Sequence, residues 1–315
     1  MPGNIHPNQS QPPLAAGSGD GNMAKAKVGI IGGSGLGEAL AAQVKGRPAS
    51  VSTPFGAPSD AIVQTEFAGT PVAVLNRHGP GHLISPSMVN YRANIYALKA
   101  LGCTHIIASG AVGSLREEIK PKDLVIPDQV IDKTSRRVPT FFDEFFAAHV
   151  EFAVPFCPVL REHLLDCTEA VNTTVHDGGT YVCMEGPAFS TRAESEMHRA
   201  WGGDLIGMTG MPEAKLAREA EIAYAMVALP SDYDCWRPAP AQLNRHQLLK
   251  EIIANLTEAT TNAIELIKAA VGRFGEIADV PSPAHSALEL AIWSNRERIS
   301  PQAKKKLGVL VEKYL

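Results

Sequence analysis

The chain has no C-x-x-C pair, and its five cysteines, Cys103, Cys157, Cys167, Cys183 and Cys235, are odd in number and scattered along 315 residues. Such spacing argues against a disulfide framework and against a zinc cluster. Reduced thiols, mostly in the core, are expected. Uncharged apolar runs of the roughly 18 residues needed to cross a bilayer as a helix are also missing. Positive charge is in short supply: the formal net charge is -4, with Lys and Arg spread through the first 270 residues rather than clustered. A nucleic-acid backbone would find no electrostatic footprint here, so neither nucleic acid nor membrane is an expected partner. The first 24 residues hold Pro2, Pro12, Pro13, Gly17, Gly19 and Gly21 but no Lys or Arg. They lack the charged and apolar regions of a secretory signal and read as a disordered tail on a cytoplasmic protein.

What is present is an ordinary globular composition, 45% hydrophobic and 20% charged. Short apolar, β-branched runs at 28–31, 71–75, 105–109, 124–131, 180–184, 205–209 and 223–229 read as strands, and helical patterns at 94–101, 192–201 and 213–220 fall between them. That alternation predicts an α/β fold, a twisted mixed sheet flanked by helices on both faces. Residues 247–271 form a long amphipathic pattern that closes the domain. After Gly272 come Pro281, Pro283 and Pro301, with two shorter helical patterns at 284–295 and 302–315. The division expected is a tail over 1–24, one α/β domain over 25–272 and a C-terminal helical extension over 273–315.

The turn Gly32-Gly33-Ser34-Gly35-Leu36-Gly37 follows the first strand. Glu38 stands where the dinucleotide fingerprint needs its third glycine, and Leu36 stands where a nucleophile elbow needs one. What remains is a glycine turn whose N–H groups and Ser34 hydroxyl suit a small oxyanion. Arg77-His78-Gly79-Pro80-Gly81-His82 emerges at another strand end, where ligands of open α/β sheets gather, and arginine's planar fork fits phosphate oxygens. The glycines and prolines between His78 and His82 forbid a helix, and no carboxylate or cysteine stands near, so no metal site is expected. Ser109-Gly110-Ala111-Val112-Gly113-Ser114 reads as a third anion-cradling turn. Met184, Glu185 and Phe189 suit a flat heteroaromatic ligand with one polar edge. Ser231-Asp232-Tyr233-Asp234-Cys235-Trp236 places two carboxylates near aromatics at the end of a strand.

In order, Gly32-Gly33-Ser34-Gly35-Leu36, Thr53-Pro54-Phe55-Gly56, Arg77-His78-Gly79, Asn90-Tyr91-Arg92-Ala93-Asn94, Gly113-Ser114-Leu115-Arg116, Glu185-Gly186-Pro187, Met208-Thr209 and Asp232-Tyr233-Asp234-Cys235-Trp236 resemble the trimeric purine nucleoside phosphorylases. The likeness is greatest to their methylthioadenosine-cleaving branch and covers about 27–271. It implies a single-domain nucleoside phosphorylase-like fold and a homotrimer. It further implies inorganic phosphate as co-substrate, with no metal or organic cofactor.

The same resemblance places phosphate against Ser34, Arg77, His78, Gly110, Ala111 and Thr209. Nucleoside would lie against Phe189, Glu185, Met208, Asp232 and Asp234, and its 5' group against Leu248, Leu249 and a neighbouring subunit's copy of His149. Asp232, Asp234 and His78 are the candidate catalytic residues. Related 6-oxopurine enzymes carry Asn where Asp232 stands, which points to adenine. Cleaving an N-glycosidic bond builds positive charge on the sugar and negative charge on the base, so phosphate serves as nucleophile and counter-ion while Asp232 protonates N7.

Within the resemblance, Gly110 replaces a hydroxyl residue and Gly207 replaces Asn of the animal enzymes. Arg245 or His246 falls where a small aliphatic residue lines the methylthio pocket. The activity implied is phosphorolysis of 5'-methylthioadenosine to adenine and 5-methylthioribose 1-phosphate. Adenosine, inosine and methylthioinosine are the alternative substrates. A water-using nucleosidase and a non-catalytic nucleoside sensor are the rival classes, separated by whether activity needs phosphate.

Overall fold

The computed structural model describes residues 28–315 apart from 44, 68, 239–241 and 243; the expected tail over 1–24 lies outside them. In chain order the first half runs β1 (Val28–Gly32), α1 (Leu36–Gln43), β2 (Arg47–Ala49), β3 (Ile62–Phe67), β4 (Thr70–Asn76), α2 (Tyr91–Ala100) and β5 (His105–Ser114). There follow β6 (Leu124–Ile126), β7 (Gln129–Asp132), α3 (Pro158–Leu165), β8 (Val175–Asp177), β9 (Thr180–Cys183) and α4 (Arg192–Ala200). Last come β10 (Leu205–Gly207), α5 (Gly210–Glu219), β11 (Ala223–Asp232), α6 (Arg245–Gly272) and α7 (Pro301–Leu307).

All eleven strands join one mixed sheet. Its centre is parallel, with β1 between β4 and β5 and with β11 beside β5. Successive strand residues face opposite sides, and here both sides are covered. From β11, Tyr224, Met226 and Ala228 enter one core with Tyr91, Ile95 and Leu98 of α2 and Ala214 and Leu216 of α5. Ala225, Val227 and Leu229 enter the other, with Leu36 and Leu40 of α1, Leu160 and Leu164 of α3, and Ala263, Leu266 and Ile267 of α6. The near-continuous apolar run of β11 is what a strand buried on both faces requires. The α/β architecture with helices on both faces is thus the one the sequence predicts.

Local chemistry explains several boundaries. Helix α4 starts at a capping box, with Thr191 and Glu194 each accepting the other's backbone N–H, and α6 starts at an equivalent box of Asn244 and Gln247. The run at 124–131, expected as one strand, is two. Pro127 lacks an N–H for the ladder; β6 pairs with β11 and β8, whereas β7 crosses to β9. The helix expected over 284–295 is a single 3-10 turn at Pro283–Ser286 followed by turns and a bridge from Ile292 to Ala148. That over 302–315 is α7 and a 3-10 turn at Gly308–Leu310. Among the described residues no helix is long and apolar enough to cross a membrane.

The C-terminal segment is fastened to the sheet. Leu288, Leu307, Leu310 and Val311 are buried in the core that holds α2 and α5. Glu221, in left-handed backbone before β11 (φ 54°), accepts from the Leu288 N–H at 3.1 Å and the Tyr314 hydroxyl at 2.5 Å, and pairs with Lys313 at 3.3 Å. A hydroxyl bound to a buried carboxylate contributes about 2 kcal/mol. Tyr314→Phe is therefore expected to lower the unfolding free energy by that amount, which moves the urea midpoint down without changing the slope of the transition; an unaltered midpoint would show that the tail is held by apolar packing alone.

Candidate active site

The site forms where β5 changes neighbours. β11 flanks β5 along 105–113, so β1 and β10 share the opposite edge. Pairing with β1 stops at Ala108 and pairing with β10 starts at Gly113. Residues 109–112 of that edge therefore have no strand partner, and their backbone groups are not consumed by a ladder. The turn expected over 109–114 is in fact extended strand; an opening in the sheet, rather than a turn, frees its backbone.

Four segments meet at this opening. The Gly33 N–H, in the turn after β1, donates to Ser109 Oγ at 3.2 Å. Arg77, directly after β4, donates from its backbone N–H to Gly32 O at 3.0 Å and from Nη1 to Ser109 O at 2.7 Å. A Cβ on Gly33 would lie 2.8 Å from Arg77 Nη1 and 3.2 Å from Gly110 Cα, and one on Gly110 would lie 3.4 Å from Thr209 Oγ1. Glycine at both positions lets these groups converge. Thr209 precedes α5 as its N-cap residue but makes no side-chain cap bond. The two N–H groups at that helix start, of Thr209 and Gly210, donate instead to Tyr181 Oη at 3.2 and 3.3 Å. The Tyr181 ring also occupies the space a side chain at Gly207 would need, which accounts for glycine there. Ser34 and Ala111, both half-buried, follow Gly33 and Gly110.

Arg77 is fully buried and is matched by Glu213 of α5, also fully buried, through two bonds of 2.7 Å from Nε and Nη2. The Tyr224 hydroxyl steadies Glu213 at 2.9 Å. Burial opposes the arginine charge, but the Glu213 carboxylate outweighs it and raises the Arg77 pKa further. His78 donates from Nδ1 to Ile84 O at 2.8 Å and stacks on His82 at 4.2 Å. A carbonyl only accepts, so Nδ1 carries the proton. Burial, followed by the Arg77 charge, lowers its pKa from 6.5 to about 4, so the ring is neutral at pH 7 and presents Nε2 as an acceptor.

Three residues further along β5, a Cβ on Gly113 would lie 3.3 Å from Asp232 Oδ1 and 3.2 Å from Asp234 Cβ. The β5–β11 register slips between Pro230 and Asp232, a bulge that turns the last strand residue toward Gly113. Asp232 accepts from the Ser231 hydroxyl at 2.7 Å and from the Asp234 N–H at 2.7 Å. Left-handed backbone at Asp234 (φ 49°) aims that N–H back at its neighbour. Burial raises the Asp232 pKa above the ordinary aspartate value, and the Asp234 charge adds to it against the two hydrogen bonds.

The other expected residues lie differently. Glu185 is committed to the loop that crosses it, accepting from the Ser135 N–H at 2.7 Å and pairing with Arg137 at 3.2 Å. Burial alone would raise its pKa, but these donors hold it at about 2. Arg137, absent from the expected set, also donates to Met208 O and Met211 O at 2.6 Å, which ties Met208 to the same loop. Phe189 is 84% exposed and covers neither aspartate. Trp236 donates to Ser114 O and is faced by Arg199 at 3.8 Å. Leu248, half-buried, and Leu249, exposed, sit in the first turn of α6. His149 is exposed and meets Trp293 edge-on at 4.8 Å.

An α/β sheet with a donor-lined opening beside a pair of aspartates defines a class, that of proteins able to hold an oxyanion and a polar heterocycle side by side. The chain belongs to the phosphorylase superfamily, whose family model matches residues 27–272. It is 47% identical over 293 residues to the S-methyl-5'-thioadenosine phosphorylase of Thermosynechococcus vestitus, covering 92% of this chain and 99% of that one. A methylthioadenosine phosphorylase from an antarctic soil metagenomic library superimposes with a TM-score of 0.83 at 46% identity, covering 92% of this chain and all of that one. A double mutant of the adenosine/methylthioadenosine phosphorylase of Schistosoma mansoni, in complex with adenine, does so with a TM-score of 0.72 at 38% identity, covering 80% and 93%.

Two measurements test these electrostatics. Glu213→Ala leaves a buried guanidinium unmatched and is expected to cost about 3–5 kcal/mol of stability in chemical denaturation. His78 is expected to stay neutral in an NMR titration until about pH 4. Because the unfolded chain takes up that proton first, its share of stability is whole above 6.5 and declines as pH falls from 6.5 toward 4. A His78 resonance titrating near 6.5 would contradict the assignment.

Proposed function

We propose that this protein uses inorganic phosphate to cleave the N-glycosidic bond of 5'-methylthioadenosine, releasing adenine and 5-methylthioribose 1-phosphate. The observation that carries this reading is the placement of the two ends of the site on one strand. Gly110, beside Arg77 and Thr209, and Gly113, beside Asp232 and Asp234, are three residues apart on β5, roughly 10 Å at the rise of an extended strand. A sugar fits between an anion at the first position and a purine at the second.

In the proposed reaction, phosphate sits among the Gly33 and residue 109–112 backbone, Ser34, Arg77, His78 and Thr209. One of its oxygens attacks C1' of the sugar as the bond from C1' to N9 breaks, and the electron pair of that bond passes into the purine. Asp232, whose pKa burial raises, gives its proton to N7 and so quenches the charge arriving on the base. Asp234 accepts from the exocyclic amino group. Neutral His78 accepts a hydrogen bond from a protonated phosphate oxygen through Nε2. No group outside this chain, the nucleoside and phosphate enters the balance.

The 5' end is assigned to Leu248 and Leu249 with His149 of a neighbouring copy, and the assembly to a homotrimer. Exposed Leu83, Met88, Phe189, Leu290 and Trp293 supply apolar surface of the kind that subunit contacts cover. Adenosine is a second substrate to weigh, since the Schistosoma relative bears both nucleosides in its name.

A panel of methylthioadenosine, adenosine and inosine, assayed with and without phosphate, decides the matter. Turnover should require phosphate and be fastest with methylthioadenosine; base release that continues in phosphate-free buffer would make the protein a nucleosidase. Asp232→Asn should lower kcat/KM for the aminopurine nucleosides by about 10²–10⁴, and an undiminished value would remove Asp232 from the mechanism. Sedimentation should give about three times the chain mass of 33.6 kDa.

A further inference from the structure

Within electrostatic reach of Asp234 lies a buried histidine that the proposed mechanism does not use. His198 projects from the last turn of α4 and is 1% exposed. Lys133, just past β7 with its backbone N–H on Cys183 O, reaches His198 Nε2 with Nζ at 2.8 Å. An ammonium has donors only, so Nε2 must accept and the ring proton must sit on Nδ1. Within the described residues that Nδ1 donor is buried without a hydrogen-bond partner, and so is one acceptor in the same wall, Asp234 Oδ2. Helix α4 packs directly against the Asp234 loop: the Cys235 thiol donates to Ser190 O at 3.2 Å and Arg199 covers Trp236. The Asp234 charge acts on His198, so the two unmet groups are neighbours; they make no direct hydrogen bond, and a single water between them would satisfy both.

We infer that His198, set in one tautomer by Lys133, is a positioning residue for Asp234: through one water its Nδ1–H engages Oδ2 and leaves Oδ1 as a fixed acceptor for the amino group of an aminopurine. The inference rests on the assignment of Asp234 to the purine and extends it to selectivity. With a donor committed to Oδ2, the remaining oxygen can accept from a 6-amino group but offers nothing to a 6-oxo group, which itself only accepts. Burial and the Lys133 charge lower the His198 pKa, while Asp234 pulls the other way, in keeping with a neutral ring within reach of that carboxylate.

The test is the ratio of kcat/KM for 5'-methylthioadenosine to that for 5'-methylthioinosine at saturating phosphate. His198→Phe is expected to lower this ratio by about tenfold, the discrimination that one hydrogen bond carries. His198→Asn, whose amide N–H overlies Nδ1, should restore most of it. A ratio unmoved by His198→Phe, whatever happens to overall rate, overturns the inference. Histidine ¹⁵N NMR supplies a readout free of turnover: wild-type His198 should be the Nδ1–H tautomer, and its Nδ1 proton should shift in Asp234→Ala. The other tautomer, or no shift, equally overturns it. Should the wild type release no base from either nucleoside, the functional reading fails, while the tautomer and its response to Asp234→Ala still decide the positioning role.

Discussion

A guanidinium removed from water must have its charge and its donors met, and Arg77 has both met from parts of the chain that are far apart in sequence. Glu213 takes two donors, 136 residues away, and Ser109 O takes another. Tyr224 of β11 in turn orients Glu213. The loop after β4, helix α5, β5 and β11 are thereby locked around one charge, and none can shift without exposing it. The pair is formally neutral, and so is His78 beside it. On the proposed reading, attraction for phosphate at this place would come from directed N–H and hydroxyl donors rather than from net charge, which would make geometry the selecting element.

That geometry is available because β5 serves two sheet environments in succession. Over its first half it is a parallel central strand beside β1; over its end it pairs antiparallel with β10. The interval between is where the sheet edge opens, and Gly33, Gly110 and Gly113 are the points at which neighbouring side chains approach the backbone closely. The bulge at the end of β11 supplies the second half of the site by aiming Asp232 at the same strand. Sheet topology, more than any single loop, sets the distance between the Arg77–Thr209 end and the Asp232–Asp234 end of the site.

Much of this was legible in the sequence, and the rest was hidden for identifiable reasons. Apolar runs gave the central strands because their burial on both faces leaves a continuous pattern. Helix α1 escaped notice since Gly35 and Gly37 read as loop, and α3 since it opens on Pro158, a residue suited to a first turn but equally to a break. Pro127 should have divided the run at 124–131. At the site, Ser34, Arg77, Gly110 and Thr209 were singled out from strand ends and from resemblance, and the structure brings Arg77, Gly110 and Thr209 together. Glu213, Arg137 and His198 were not singled out, because pairing across 48 to 136 residues leaves no local signal. Glu185 was expected to face a ligand, yet its carboxylate is spent on the 135–137 loop. Phe189, which the resemblance places against the nucleoside, lies in solvent in the single chain.

Two aspartates separated by one residue invite identical treatment, but their surroundings set them apart. Asp232 ends a buried strand, has each oxygen occupied by a short local donor, and has its pKa raised by burial and by its neighbour's charge. Asp234 sits two residues further on, in left-handed backbone, with one oxygen buried and without a hydrogen-bond partner among the described residues. The backbone turn that gives Asp234 its N–H bond to Asp232 therefore leaves the two carboxyls unlike, one with both oxygens engaged by local donors and the other with an oxygen still to be met, an asymmetry that the N7 and amino group of the proposed aminopurine would match.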